Sequence, residues 1–324
     1  MISITELQHL VNQALAEKKY PARPKELYEP IRYILSLGGK RMRPVLTLLA
    51  CDLFNGSILK ALNPAIGIEM FHNFTLMHDD IMDKAPLRRG KPTVHEQWNE
   101  SSAILSGDMM LIEAYKLMMD VDEKLLRPVL EIFNETAKGV CEGQQIDMNF
   151  EQLEGVSVSE YKEMIRLKTA VLLGGSMKIG ALIGGAAPDH ADLLYGFGVN
   201  LGIAFQLQDD ILDVYGDPDK FGKQVGGDIR ANKKTFLLIQ ALETAEGLDK
   251  EELNYWVNQE NADPETKVNA VTTIYSRLGI RSLAEEEMNN YAEKALQALE
   301  SVPVDIEKKE RLRGFAEQLL VREN

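Results

Sequence analysis

Two short stretches of the chain nearly repeat each other: His78-Asp79-Asp80-Ile81-Met82-Asp83 and Gln208-Asp209-Asp210-Ile211-Leu212-Asp213. Each lies in an apolar run with a period of three and four, the pattern of a helix. Residues four apart on a helix stack on one face, so Asp79 stands over Asp83 and Asp209 over Asp213. Unaided, such a pair is repulsive by roughly 0.2–0.5 kcal/mol. A hard cation such as Mg²⁺ relieves the repulsion, because it prefers carboxylate oxygens and commonly shares its shell with phosphates. One Asp-Asp-x-x-Asp in an acidic protein is an ordinary solvated face. Two copies, each in an apolar helix and each followed by a basic loop, are a stronger signal. On two facing helices they are expected to hold a small cluster of Mg²⁺ ions against one diphosphate.

The cations nearby fit that expectation. Arg88-Arg89 follow the first motif, between Pro86 and Gly90, where the helix should have ended. Earlier, Gly38-Gly39-Lys40-Arg41-Met42-Arg43-Pro44 places three cations after two glycines; it reads as a phosphate-gripping turn or as a helix C-cap with solvated basic residues. His72 lies two turns before Asp79 on nearly the same face, in position to donate to a phosphate. Lys168-Thr169 interrupts an apolar helix. A lysine there is costly to bury without an anionic partner, so it either meets a substrate diphosphate or snorkels to the surface. Gln206 shares its helix face with the second acidic motif. The loop from Asp217 to Asp228, with Lys233-Lys234-Thr235 beyond it, reads as a lid over phosphates. Gln144-Gln145-Ile146-Asp147 is a polar patch that faces either a cavity or solvent.

Charge matters to the argument because the chain is acidic overall: 36 basic against 50 acidic residues, a net of −14. Such a chain is not a non-specific nucleic-acid binder, and an anion site in it must be built from local clusters. Cys51 and Cys141, both in apolar helical surroundings, read as free thiols of a cytoplasmic protein. The start lacks the basic-then-apolar order of a signal peptide. The most apolar stretch, 169–187, carries Lys178 and five glycines, so it reads as a packed interior helix, and no transmembrane segment is expected.

Strand alternation is almost absent, and no Asn-Gly hairpin joins two β-branched runs. Helices are predicted near 2–17, 25–36, 42–54, 61–84, 94–119, 123–152, 157–185, 189–216, 232–245, 249–257, 263–277, 280–299 and 303–321. Connections are short and no low-complexity linker divides the chain, so one all-α domain over residues 1–324 is expected.

Taken together, these motifs resemble those of the trans-isoprenyl diphosphate synthases, or polyprenyl synthetases. The resemblance runs in order from about residue 38 to 235: the Gly-Gly-Lys-Arg turn, the first aspartate-rich motif with Leu-Arg-Arg-Gly-Lys-Pro, the Lys-Thr pair, and the second aspartate-rich motif with its lysine loop. It implies antiparallel helices around a deep central cavity, a homodimer and several Mg²⁺ ions. By the same resemblance Lys40, Arg43, His72 and Arg89 bind isopentenyl diphosphate. Asp79, Asp83 and Asp209 ligate metal, with Asp80, Asp210 and Asp213 in or near that shell. Arg88, Lys168, Thr169, Gln206, Lys223 and Lys233 hold the allylic diphosphate (dimethylallyl, geranyl or farnesyl). Ala231 departs from the pattern, since relatives often carry an acidic residue there.

Product length is expected to depend on the helix before Asp79, because residues upstream lie deeper by about 1.5 Å each. Phe74 is five residues back, where its ring would floor the pocket, and Thr75 is not aromatic. A C20 product, geranylgeranyl diphosphate, is favoured over C15 farnesyl diphosphate or a longer chain; alternatively Phe74 merely packs on a neighbouring helix. A terpene cyclase would share the helices and one acidic motif. It should carry a Ser or Thr and a Glu in its second metal motif, and 209–217 contains neither.

Overall fold

The structure, a computed structural model, describes residues 2–217, 225–259 and 262–320. It is helical almost throughout, as the periodicity predicts. In chain order the elements are α1 (Ile4–Glu17), α2 (Lys25–Ser36), α3 (Met42–Leu53), α4 (Ile58–Met82), β1 (Leu87–Arg88), β2 (Lys91–Pro92), α5 (Val94–Gln97), α6 (Glu100–Met118) and α7 (Glu123–Phe150). Then come α8 (Val158–Ile165), a π-helical turn at Arg166–Ala170, α9 (Val171–Gly184) and α10 (Pro188–Tyr215). The remainder is α11 (Gly227–Arg230), α12 (Phe236–Thr244), α13 (Gly247–Asn258), α14 (Pro264–Arg277), α15 (Ile280–Glu300) and α16 (Ile306–Leu320).

The helices start where the sequence supplies caps. Ser3 and Glu6 bond reciprocally, as do Ser157 and Glu160, each serine oxygen accepting the amide three residues on. The single helix expected over 94–119 is instead two. The backbone opens at Trp98, and Asn99 restarts α6 by accepting from the Ser102 amide at 2.8 Å.

A short hairpin was not expected. Leu87 pairs with Pro92 and Arg88 with Lys91, around Arg89 (φ 53°) and Gly90 (φ 73°). Positive φ at both central residues is the requirement of a tight two-residue hairpin turn, and Arg-Gly meets it here without Asn-Gly.

Contacts group the chain into two compact units: 1–135 with 175–195 and 303–312, and 136–174 with 196–302 and 313–324. In the first, the middle of α4 is buried, with Ile66, Ile68, Met70, Phe71 and Met77 among its core residues. In the second, Tyr161, Leu207, Phe236, Leu253, Ile274 and Tyr275 belong to one buried cluster.

The run Val158–Gly184 is long and apolar enough to cross a membrane, yet 61% of its most apolar window is buried inside the protein. That burial is the pattern of an interior helix, as the lysine and glycines within it suggest.

Candidate active site

The first acidic motif closes α4. The Asp83 amide donates to the Asp79 carbonyl at 2.9 Å, so the two side chains do stand one turn apart at the helix end. Asp79 is partly exposed and Asp83 exposed, whereas Asp80 is 2% exposed. The three carboxylates therefore differ in role. Asp80 turns inward and is gripped by Arg88, whose Nε donates to Oδ2 at 2.8 Å and whose Nη2 donates to Oδ1 at 2.7 Å. Bidentate pairing of this kind is strong and fixes orientation. Asp80, expected in or near the metal shell, is held by an arginine.

The basic turn before α3 divides similarly. Arg41, in a left-handed conformation (φ 51°), is 4% exposed. Its guanidinium donates to Glu69 at 2.6 Å, to Asn12 at 3.1 Å and to the Leu35 carbonyl at 2.7 Å. It is a structural cation. Lys40 beside it is exposed, and Arg43 points to the partly exposed His72. A guanidinium can only donate, so at 3.3 Å Arg43 makes His72 Nε2 the acceptor and leaves the ring proton on Nδ1. Burial, and then the charges of Arg43, Arg89, Arg88 and Arg41, hold the His72 pKa well below its ordinary value. His72 is thus a neutral imidazole among arginines. Arg89 donates to the Gly38 carbonyl, and a Cβ on Gly39 (φ 136°) would stand 2.8 Å from the Arg89 guanidinium. The two glycines let the turn lie against that arginine. In this acidic protein, Arg43, Arg88 and Arg89, gathered about the neutral His72, form the local positive region that an anion site requires.

Below Asp79, Phe74 lies in a row of rings. Its centroid is 4.8 Å from that of His78 and 5.6 Å from that of Phe71, and Phe71 in turn meets Phe133 at 5.3 Å. His78 Nε2 donates to the Ile104 carbonyl at 3.1 Å. Thr75 turns its hydroxyl onto the His72 carbonyl at 2.8 Å.

The second unit carries the other half of the expected residues. On α10, Asp209 and Asp213 are partly exposed and Asp210 is 3% exposed, repeating the outward–inward division of the first motif. Asp210 accepts from the Tyr161 hydroxyl and from Gln206 Nε2 at 3.1 Å. Gln206 also accepts from Thr169 at 3.2 Å. Burial and the neighbouring Asp228 charge push the Asp210 pKa up to about 7, while Tyr161, Lys233 and Gln206 pull the other way.

Lys168, in the π-helical turn, pairs with Asp147 at 2.6 Å. Its anionic partner is thus internal: of the Gln144–Asp147 patch, Asp147 supports the cation, while Gln145 is exposed and bonds Asn149. π-Turns inside helices recur at functional positions.

The segment read as a lid is anchored at its far end. The Gly226 amide donates to the Asp213 carbonyl at 2.6 Å and the Asp228 amide to the Asp213 carboxylate at 2.9 Å. Lys234 donates to the Phe150 carbonyl at 2.6 Å, fastening the loop to the end of α7, while Lys233 is exposed. Lys223 lies outside the described residues. Reading the sequence did not find Tyr161, Asp228 or the Arg41–Glu69 pair. Tyr161 is 49 residues from its partner, and no local pattern announces it.

Among the described residues, no three His, Cys, Asp or Glu side chains close on one point to make a metal cage. Mg²⁺ does not need one, since it takes one or two carboxylates and fills its shell with water and phosphate oxygens. Asp79 with Asp83, and Asp209 on α10, are donors of the right hardness, so the residues present fit that ion.

Two acidic motifs on helices and a cluster of arginines are the equipment that handling a diphosphate with a divalent metal requires. The chain is a member of the polyprenyl synthetase family: the family's model matches residues 24–274. It is 40% identical over 241 residues to a geranylgeranyl diphosphate synthase of Methanosarcina mazei, covering 74% of each chain. It is 37% identical over 290 residues to a geranylfarnesyl diphosphate synthase of Natronomonas pharaonis, covering 84% of this chain and 83% of that one. A crystal structure of a geranylgeranyl pyrophosphate synthase matches over 100% of both chains, with a TM-score of 0.95 and 43% identity.

Proposed function

We propose that this chain condenses isopentenyl diphosphate head-to-tail with allylic diphosphates to give an all-trans C20 product, geranylgeranyl diphosphate, working as one catalytic domain. The observation that carries the reading is the environment of His72: a neutral imidazole and several arginines at the acidic end of α4, in a chain of net charge −14.

Asp79 and Asp83 from the first motif and Asp209 from the second would hold Mg²⁺. Bound there, the metal supplies Lewis-acid neutralisation of the departing diphosphate. The protein's own part is electrostatic. Arg88, set by Asp80, and Lys168, set by Asp147, present fixed positive charge to the allylic diphosphate, whose charge grows as the allylic C–O bond breaks. Thr169, Gln206 and Lys233 complete its polar contacts. Lys40, Arg43, Arg89 and His72 orient isopentenyl diphosphate, with His72 donating from Nδ1 rather than adding a charge. The isopentenyl double bond attacks the allylic carbocation, and the new cation then loses a proton to the departed diphosphate, the strongest base at hand. Because the cations bind charge that develops in the transition state, they act on kcat as well as on binding.

Phe74, backed by Phe71 and His78, would floor the product pocket. The relatives include a C25 synthase as well as C20 synthases by name, so family membership alone does not select the length. The exposed apolar residues on and beside α6, among them Leu105 (60%), Ile112 (59%) and Met119 (54%), support a homodimer. Light scattering tests it: Leu105→Glu should give a monomer.

The deciding assay is product analysis with isopentenyl diphosphate, Mg²⁺ and, separately, dimethylallyl, geranyl or farnesyl diphosphate. A C20 product from all three supports the reading. A C15 or C25 end point would keep the reaction and reject the pocket floor. Cyclic hydrocarbon without elongation would reject the reaction.

A further inference from the structure

Lys267 is 5% exposed on α14, close to the start of that helix. Both facts count against it. A buried ammonium loses its hydration, and the positive end of a helix repels a cation. Its Nζ donates to a neutral acceptor, Asn232 Oδ1, at 2.6 Å. It faces a narrow cavity lined also by Asp228, Asn232, Lys233, Thr235 and Tyr275.

The contacts around this cavity lead to the second aspartate-rich motif. Asn232 is in a left-handed conformation (φ 51°), and its Nδ2 donates to the Val257 carbonyl at 2.9 Å. The next amide, of Lys233, donates to the Asp228 carbonyl at 2.9 Å, and the Asp228 amide donates to the Asp213 carboxylate. Val268, next to Lys267, packs against the other end of the same segment. A Cβ on Gly226 (φ 81°) would stand 2.7 Å from it, and the Gly226 amide bonds Asp213. One turn of α14 therefore presses on both ends of the Gly226–Asn232 segment, which holds Asp213 one turn from Asp209.

We propose that Lys267 is a positioning residue for the second aspartate-rich motif: an internal cation that fixes Asn232, and through it the Gly226–Asn232 segment bonded to Asp213, so that this half of the site is set before metal and diphosphate arrive. The proposal rests on the prenyl-transfer reading for its purpose, and on the cavity and its hydrogen bonds for its geometry.

Its test uses the full chain with Mn²⁺ as probe and inorganic pyrophosphate as the diphosphate, with bound Mn²⁺ followed by electron paramagnetic resonance. Lys267→Met should weaken Mn²⁺ binding about tenfold, the usual scale for a support behind a metal ligand. In turnover it should raise the KM for the allylic diphosphate and leave that for isopentenyl diphosphate unchanged. The unfolding midpoint should hold or rise, because a buried charge has been removed. Lys267→Arg should recover part of the loss. Asn232→Gly keeps the left-handed backbone, removes the acceptor and should weaken Mn²⁺ in the same way; it stands in if Lys267→Met does not fold. Wild-type Mn²⁺ affinity in the folded variants would overturn the proposal, and so would a lowered midpoint with unchanged affinity. A wild-type protein that binds Mn²⁺ with pyrophosphate yet elongates no primer would sink the prenyl-transfer reading instead.

Discussion

Arg88 holds Asp80 with two parallel hydrogen bonds, from Nε to Oδ2 and from Nη2 to Oδ1, across the turn that ends α4. Asp80 is buried, and Arg88 is mostly so. The middle aspartate of the motif thus sets an arginine, while Asp83 is exposed and Asp79 partly so. Asp79→Asn is expected to lower kcat by roughly 10²–10³ with little change in unfolding midpoint. Asp80→Asn should cost about 1–3 kcal/mol of stability by breaking the pair. Urea unfolding beside steady-state kinetics separates the two, and equal midpoints would contradict the division.

Product length should respond to Phe74. Phe74→Ala removes the ring and should lengthen the products, read by chromatography after dephosphorylation. Gly107 offers an indirect route: a Cβ there would meet the His78 ring, which meets Phe74 edge-on. Gly107→Ala should therefore crowd Phe74 into the pocket and shift products shorter. Unchanged lengths in both variants would mean that Phe74 only packs.

The two arginines of the early basic turn should behave oppositely. Arg41→Ala strands the buried Glu69 and is expected to cost about 3–5 kcal/mol in denaturant unfolding. Arg43→Ala should leave stability nearly intact and raise the KM for isopentenyl diphosphate. A large stability loss in the Arg43 variant would reverse the assignment.

His72 gives a pH dependence with a definite sign. Its folded pKa lies well below the 6.5 of the free side chain, through burial first and the arginines next. Below about pH 6.5 the unfolded chain takes up a proton that the folded one refuses, so this contribution to stability is full above that pH and is lost as pH falls. The melting temperature of the wild type should drop between about pH 7 and pH 5 by more than that of His72→Gln. Parallel curves would show that His72 titrates normally.

Much of this protein is legible in one dimension. The period of the apolar residues makes the chain helical, and a spacing of four stacks Asp79 on Asp83. The local basic clusters in an acidic chain mark an anion site. These are properties of residue type and spacing, which act over one or two turns. What the sequence left level is the choice among like residues. Nothing local separates Asp80 from Asp79, Arg41 from Arg43, or Lys168 bound to substrate from Lys168 bound to Asp147. Each choice turns on a partner far along the chain: Glu69 is 28 residues from Arg41, Asp147 is 21 from Lys168, and Tyr161 is 49 from Asp210. Burial decides them, because a charge taken out of water must meet its complement at hydrogen-bond distance. Only the packed chain brings that complement there.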